Sequence, residues 1–477
     1  MSVLMAGVAN AQGPSATTAP ATNDQPPDQP PNQPPPDVPI TGKSPEPSSP
    51  LAIHVGDSEL LIGGFMDATS IFRTTNTGNG IGTSFGTIPF KTLPSGAPNV
   101  PGNLTEERLS TQNSRITLQA TSKWHDVNLK GYIEADFLGN TSTSINVTSN
   151  SDTLRMRLYW AQVQVGKFEF LAGQSWSLLT PNRNGLSPMP GDLFYSQDVD
   201  TNYQMGLIWE RTTGYRFIGH PNDTVAFGVA LENPEQYVGS AVVLPTAFNA
   251  AQVDTGASNL AATSPVPNAY PDIIGKIAFD PKTGKTHQHI DAAFIVRGYK
   301  VFNPANSNTY TATGSGGSVN FVLEPVPNFR VIATNWYDNG SGRLISNTNL
   351  PDFIVNADQS LSLVKSWSGI WGAEITAHNT LLYGYWSYAH AEQNIGFDTN
   401  GTTRIGFGVP NSQSANHKIQ EPTVGFTQTF FRDPKIGGML LMVQYSWVER
   451  TPYSVPAGTP GKATTHMVYV NVRYILP

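Results

Sequence analysis

The sequence predicts an all-β fold, a 16-stranded antiparallel transmembrane β-barrel with short periplasmic turns and long external loops. Three observations lead there. Segments of about ten residues alternate apolar and polar side chains with period two, the signature of strands with two unlike faces. Their connections alternate strictly between short and long. Charged residues make up only 13% of the chain while 44 Gly and 38 Pro supply turns, and that charged share is about half the usual value for a soluble protein.

Taken from the N-terminus, residues 1–11 (MSVLMAGVANA) form an apolar run ending in Ala9-Asn10-Ala11. This small-x-small pattern reads as a signal-peptide remnant with Gln12 the first mature residue, although no basic residue precedes the run. Residues 12–50 are dominated by Pro, Asp, Gln and Thr. Such a composition cannot bury a core and favours extended polyproline II, so it is expected to be a disordered periplasmic linker. The barrel is expected over 51–477. No run of 18 apolar residues follows, so no membrane-spanning helix is expected.

The strands are clearest where Ile116, Leu118 and Ala120 oppose Arg115, Thr117 and Gln119, and where Ile133, Ala135 and Phe137 oppose Tyr132, Glu134 and Asp136. Leu154, Met156, Leu158 and Trp160 oppose Arg155, Arg157 and Tyr159. Near the end, Met439 to Trp447 and Val468 to Tyr474 alternate in the same way. A length of about ten matches the 9–11 tilted residues that cross a bilayer core, against five or six for a soluble strand. Short links are expected at 125–126, 166–167, 220–223, 280–285, 325–328, 378–379 and 432–437. Long segments fall at 74–112, 140–152, 177–202, 233–271, 301–315, 339–359, 392–420 and 451–463. Sorting of this kind is what an outer-membrane barrel requires, with turns on one side and loops on the other. Trp124, Trp160, Trp176, Trp209, Trp336 and Trp386 near strand ends are expected to form an interfacial girdle.

Parity then fixes the faces. Apolar positions meet outer-membrane lipid, and Arg115, Lys130, Glu134, Asp136, Arg155 and Arg157 line a watered lumen. With Arg183 and Asp192 from the third long loop, they are the expected pore constriction, because clustered guanidiniums attract anions and bind carboxylates in a bidentate fork. The competing reading is that the arginines pair with Glu134 and Asp136 and brace the wall. Pro181, Pro188, Pro190, Gly185 and Gly191 suit a compact path for loop 177–202 folded into the lumen.

At KGYIEADFLG (130–139), LRMRLYWAQV (154–163), LAGQSWSLLTP (171–181) and VALENPE (229–235), the chain resembles the DcaP-type trimeric outer-membrane porins. The resemblance covers residues 58–235, and the strand rhythm continues it. It implies a sixteen-stranded homotrimer admitting small anions such as dicarboxylates, with arginines at the constriction. Two features depart from that family: the N-terminal segment is Pro-rich where a helical, coiled-coil-like segment is expected, and the chain ends VRYILP, so that Leu476 takes the place of a terminal aromatic residue.

Other chemistries are weighed by their residues. A net charge of −7 argues against a nucleic-acid partner, which needs clustered cations. With no cysteine, thiolate metal sites and thiol nucleophiles are absent. GQSWS ends in Ser177 and not Gly, so Ser175 is no nucleophile elbow and no catalytic residue is expected. His287 and His289 share a strand face, but a solvated turn is preferred over a metal pair; neither metal nor cofactor is expected. The sequence thus points to a non-enzymatic diffusion porin of the bacterial outer membrane with both termini periplasmic. The alternatives are a plugged structural or receptor barrel and, further off, a membrane-embedded hydrolase. Expected partners are outer-membrane lipid, two further copies of the chain, small anionic solutes and, through the linker, the cell wall.

Overall fold

The computed structural model describes residues 49–477 apart from 79, 140–151, 195, 257–265 and 282. The expected signal-peptide remnant, all but the end of the linker, and most of the loop at 140–152 lie outside the described residues. The barrel begins with β1 (Ser58–Arg73), β2 (Glu106–Ser110 continued by Arg115–Trp124), β3 (Val127–Asp136), β4 (Arg155–Val165), β5 (Phe168–Trp176), β6 (Arg211–Gly219), β7 (Val225–Glu232) and β8 (Asp272–Phe279). It continues with β9 (Gln288–Asn303), β10 (Asn308–Val326), β11 (Phe329–Asn339), β12 (Lys365–Ala377), β13 (Thr380–Ala391), β14 (Asn416–Asp433), β15 (Gly437–Pro452) and β16 (Ala463–Ile475). Each pairs antiparallel with its neighbours, and β1 closes on β16 from Phe65↔Ile475 to Arg73↔Met467. The expected 16-stranded closed barrel is what is observed. A strand Ala52–Val55 hairpins onto the start of β1, and Leu476 N donates to Gly64 O at 3.0 Å, so the first described strand and the C-terminal end meet at the short-turn rim.

The short turns fall where expected. His125 and His378 reach positive φ (both 53°) in two-residue connections, a conformation such tight hairpins demand. One expected long loop is not a loop. Residues 301–315 are mostly strand, because β9 and β10 run on as a hairpin whose register holds from Gln288↔Leu323 to Asn303↔Asn308. Its Thr-rich sequence (Thr309, Thr311, Thr313) reads as a polar loop, yet Thr is a good strand former when one face is buried. Here Tyr299 and Val301 supply that face.

Among the strands whose faces are read from sequence, parity holds except in β4. Ile133, Val468, Val470 and Val472 point outward and are exposed, whereas Tyr132, Glu134, Tyr469 and Asn471 point inward and are buried. In β4 a register shift falls opposite Glu134/Ala135, so Arg155 and Arg157 both face the lumen and the alternation flips after them. Leu158 and Trp160, expected outside, are buried within; Tyr159, expected inside, faces out. A bulge inserts one residue and so reverses the facing of everything beyond it.

The tryptophan girdle is corrected likewise. Trp124 and Trp386 are exposed, but Trp160, Trp176 and Trp336 are buried, and Trp209 stacks on Trp176 at 4.7 Å. The outer aromatic belt near the short turns is built by phenylalanines instead, with Phe168 stacked on Phe217 at 5.6 Å and Phe217 against Phe227 at 6.4 Å.

The lumen is not an empty tube. Loop 74–105 brings Phe85, Ile88 and Phe90 inside, 233–271 brings Val238 and Phe248, 340–364 brings Phe353 and Ile354, and 392–415 brings Phe407 into one apolar cluster. The hydrophobic core therefore sits inside the barrel, and a lipid-contacting belt surrounds it. Replacing Val470 by Arg should cost about 2–4 kcal/mol near the bilayer midplane. Comparing urea unfolding of that variant in lipid with wild type checks which face is outside.

Candidate pore constriction

Strand pairing builds the site from the wall inward. In the ladder across β2, β3 and β4, Arg115 pairs with Asp136 and Asp136 with Arg155, one rung above Glu134. Arg157, carried by the bulge, reaches both acids: its Nε lies 2.5 Å from Glu134 Oε1 and its Nη1 2.8 Å from Asp136 Oδ2. Arg155 holds Asp136 with a fork, Nε to Oδ1 at 3.0 Å and Nη2 to Oδ2 at 2.7 Å. Arg115 Nη1 stands 3.5 Å from Glu134 Oε1, whose partner oxygen accepts from Tyr132 OH at 3.1 Å. Glu134 and Asp136, expected to face water, instead face guanidiniums and are buried.

The structure thus brings Arg115, Glu134, Asp136, Arg155 and Arg157 together. It does not bring the others to them. Lys130 is on the same wall two rungs nearer the short turns than Tyr132, opposite Thr121 and Gln162. Arg183 is across the lumen, with Nη2 2.6 Å and Nη1 3.1 Å from the carboxylate of Glu374 on β12. Asp192 lies in the same loop, where its carbonyl accepts from Arg183 N at 2.8 Å.

Neighbouring strands add residues that the sequence reading missed. Arg473 of β16 holds Asp67 of β1 with Nη2 at 2.7 Å and Nε at 2.8 Å to Oδ2, and its guanidinium sits 4.1 Å from the centre of the Phe65 ring. Parity alone could have found that pair, since Asp67 and Arg473 are opposite charges at inward positions of β1 and β16 that pair directly. Arg211 starts β6 and lies 5.6 Å over Trp176, which Arg157 also approaches at 5.8 Å. Among the described residues no carboxylate is within ion-pairing distance of Arg211. Trp209 lies between Trp176 and Tyr203, the latter edge-on at 5.0 Å. Nothing in the local sequence marks Arg211, because its strand starts nine residues beyond the expected end of loop 177–202 (211 minus 202).

Three guanidiniums (Arg115, Arg155, Arg157) therefore share two carboxylates (Glu134, Asp136), and Arg211 lies over Trp176 beside them. The arc is basic even after internal pairing. Arg115 and Arg157 are buried against the acids, whereas the Arg155 side chain keeps 37% of its surface exposed.

Loop 177–202 does fold into the lumen. Leu186 packs with Ile218, Ala226 and Ala278 near the short turns, and Met189 and Leu193 pack with Tyr132, Leu158 and Leu171. The returning arm is tied to the far wall, with Gln197 N donating to Tyr385 OH at 3.1 Å, Val199 N to Gln444 Oε1 at 2.5 Å and Met205 N to Glu421 Oε2 at 2.8 Å. Half-buried lumen positions are left along β2 to β4, at Thr117, Gln119, Thr121, Lys130 and Gln162. Above the arc, a cleft of about 230 Å³ lies between Glu235, Tyr237, Asp254 and Arg343. Burial and a hydrogen bond with Asp254 push the Glu235 carboxyl up to about 7.

The two expectations outside the wall resolve differently. Ser175 Oγ donates to Trp176 O at 3.1 Å. His289 is not in a solvated turn but buried, with a carboxylate at each ring nitrogen, and His287 Nε2 lies 2.8 Å from Arg183 O. Among the described residues no cluster of three His, Cys, Asp or Glu is arranged to hold a metal.

Neither a protein-family model nor a curated protein matches the chain. Solved structures do. The outer membrane channel DcaP of Acinetobacter baumannii superposes with a TM-score of 0.59 at 16% identity, covering 88% of this chain and 97% of that one. The fold is that of an outer-membrane channel barrel. An anion-selective porin from Comamonas acidovorans follows at 10% identity and a TM-score of 0.47, over 88% of this chain and 100% of the other.

Within this barrel, truncating Arg157 to Ala leaves Glu134 buried with only the longer Arg115 contact and its tyrosine. The expected loss is about 3–5 kcal/mol, more than for Arg157→Met combined with Glu134→Leu, because a lone buried charge costs more than an absent pair. Urea unfolding midpoints of the two variants decide it.

Proposed function

We propose that the chain is a homotrimeric porin of the bacterial outer membrane, passing small hydrophilic solutes by diffusion and favouring small anions such as dicarboxylates. The observation that carries this reading is the basic arc inside a closed barrel, where Arg155 and Arg211 present guanidinium groups that Glu134 and Asp136 do not fully neutralise. A carboxylate passing along β2 to β4 would exchange water for those donors in steps, entering one fork as it leaves another. Trp209 and Tyr203, backed by the buried Trp176, offer apolar contact beside it. The short-turn rim, where the first described strand and the C-terminal end lie, would be periplasmic, since long loops face outward in barrels of this kind. Glu235 and Asp254 at the cleft temper the anion preference.

Under a salt gradient in planar bilayers, Arg155→Ala combined with Arg211→Ala should shift the reversal potential toward cations relative to wild type. An unchanged potential would refute the role of the arc. The filled lumen favours a second reading, a plugged structural or receptor barrel, and an absence of discrete conducting steps in wild type would select it. Assembly is read on semi-native gels: a larger, heat-dissociable species three times the monomer mass is expected, and a monomer band alone would sink the trimer.

A further inference from the structure

The innermost stretch of loop 177–202 is held by a network that the solute path does not use. His289, on the lumen face of β9 beside the short-turn rim, is fully buried. Its Nδ1 lies 2.7 Å from Asp280 Oδ1 and its Nε2 3.1 Å from Asp291 Oδ2. Each carboxylate in turn accepts a backbone N–H of the loop, Gly185 N to Asp280 Oδ2 at 3.2 Å and Asn182 N to Asp291 Oδ2 at 2.9 Å. Lys276 of β8 donates to Thr180 O at 2.6 Å and Asn182 Oδ1 at 2.7 Å and stands 3.4 Å from Asp291 Oδ2. Asn320 of β10 completes the shell by donating to Asp291 Oδ1 at 2.7 Å.

An imidazole can satisfy two carboxylates only when both ring nitrogens carry protons. In that form Lys276 and His289 balance Asp280 and Asp291. Loss of one proton sets a nitrogen lone pair against a carboxylate and leaves one negative charge uncompensated in a buried site, which is strongly unfavourable. Other charged groups hold adjacent atoms of the loop. Arg216 of β6 donates to Leu186 O at 3.5 Å, Arg183 pairs with Glu374 of β12 with Arg330 of β11 3.6 Å from the same carboxylate, and Glu324 of β10 accepts from His287 N at 2.8 Å. The titrating carboxyl on the returning arm, Asp198, is pushed well up by burial, then by Glu421 and Asp200.

We propose that residues 182–186 are a latch across the short-turn half of the lumen, closed while His289 is a cation and released when it gives its proton to solvent. Release frees the amides of Asn182 and Gly185 together and lets the tip leave the β8–β9 wall, widening the exit. The device rests on the porin reading for its readout in conductance, and thiol labelling gives a readout that does not.

The test follows single-channel conductance from about pH 5 to about pH 9, the span in which imidazole charge changes. Wild type should conduct more on the alkaline side. His289→Gln, which does not titrate, should lose that step. A Leu186→Cys/Ala278→Cys disulfide, drawn from a contact in one apolar cluster of a chain with no native cysteine, should lose it until reductant is added. Persistence of the step in His289→Gln assigns it to another group such as Asp198 and overturns the latch; so does a step that survives the disulfide. Independently, maleimide should label Ser187→Cys faster at alkaline pH after correction against a free thiol, and His289→Gln should abolish the difference. Equal corrected rates overturn the latch even in a channel that conducts. Lack of conductance with pH-dependent labelling refutes the porin reading and supports the latch.

Discussion

Closure of β1 on β16 is the constraint from which the rest follows. In hydrocarbon no backbone donor or acceptor can be left without a partner, so a spanning sheet must join its first strand to its last. Once Phe65 to Arg73 pair with Ile475 to Met467, the facing of every side chain in those strands is fixed. Outward positions must then be apolar, and inward ones must find partners inside. The carboxylates of Asp67, Glu134 and Asp136 are inward, and each is met by guanidinium.

Inside the ring, the protein handles two problems with one material. Sixteen strands enclose more space than inward side chains alone fill, so long loops enter and bring apolar residues with them. Those loops carry their own polar backbone, which must be paired where water is excluded. The inner wall supplies the partners: Gln444, Tyr385 and Glu421 accept from loop amides on one side, and Asp280 and Asp291 do so on the other. Charged residues on the wall thus serve as loop anchors in one arc and pair with one another in another, where Arg155 alone of the paired guanidiniums reaches solvent.

This division explains what could be read from sequence. Strand number, most turns and the facing of β3 and β16 were legible because period-two alternation is local and lipid enforces it. The facing of Leu158 and Trp160 was not, since a bulge leaves no compositional mark and reverses everything after Arg157. The extent of β9 and β10 was hidden because Thr and Gly in 309–317 look like loop until Tyr299 and Val301 are seen to be covered. Arg155, Arg157, Glu134 and Asp136 could be placed side by side from parity and adjacency. Arg211 and the inward Trp176 and Trp209 could not, because their positions depend on where a long loop ends and which wall it follows. The burial of His289 likewise arises from a loop more than a hundred residues earlier in the chain.

The long β9–β10 hairpin also bears on the order of events as the chain folds. Its sixteen paired positions are joined by the four residues 304–307, so each rung forms at a small cost in chain entropy. The seam between β1 and β16 unites partners 394 to 410 residues apart, by subtraction of 73 from 467 and of 65 from 475. Local ladders of this length assemble ahead of distant ones. On this ground the hairpins are expected to form ahead of the seam, which closes the ring last.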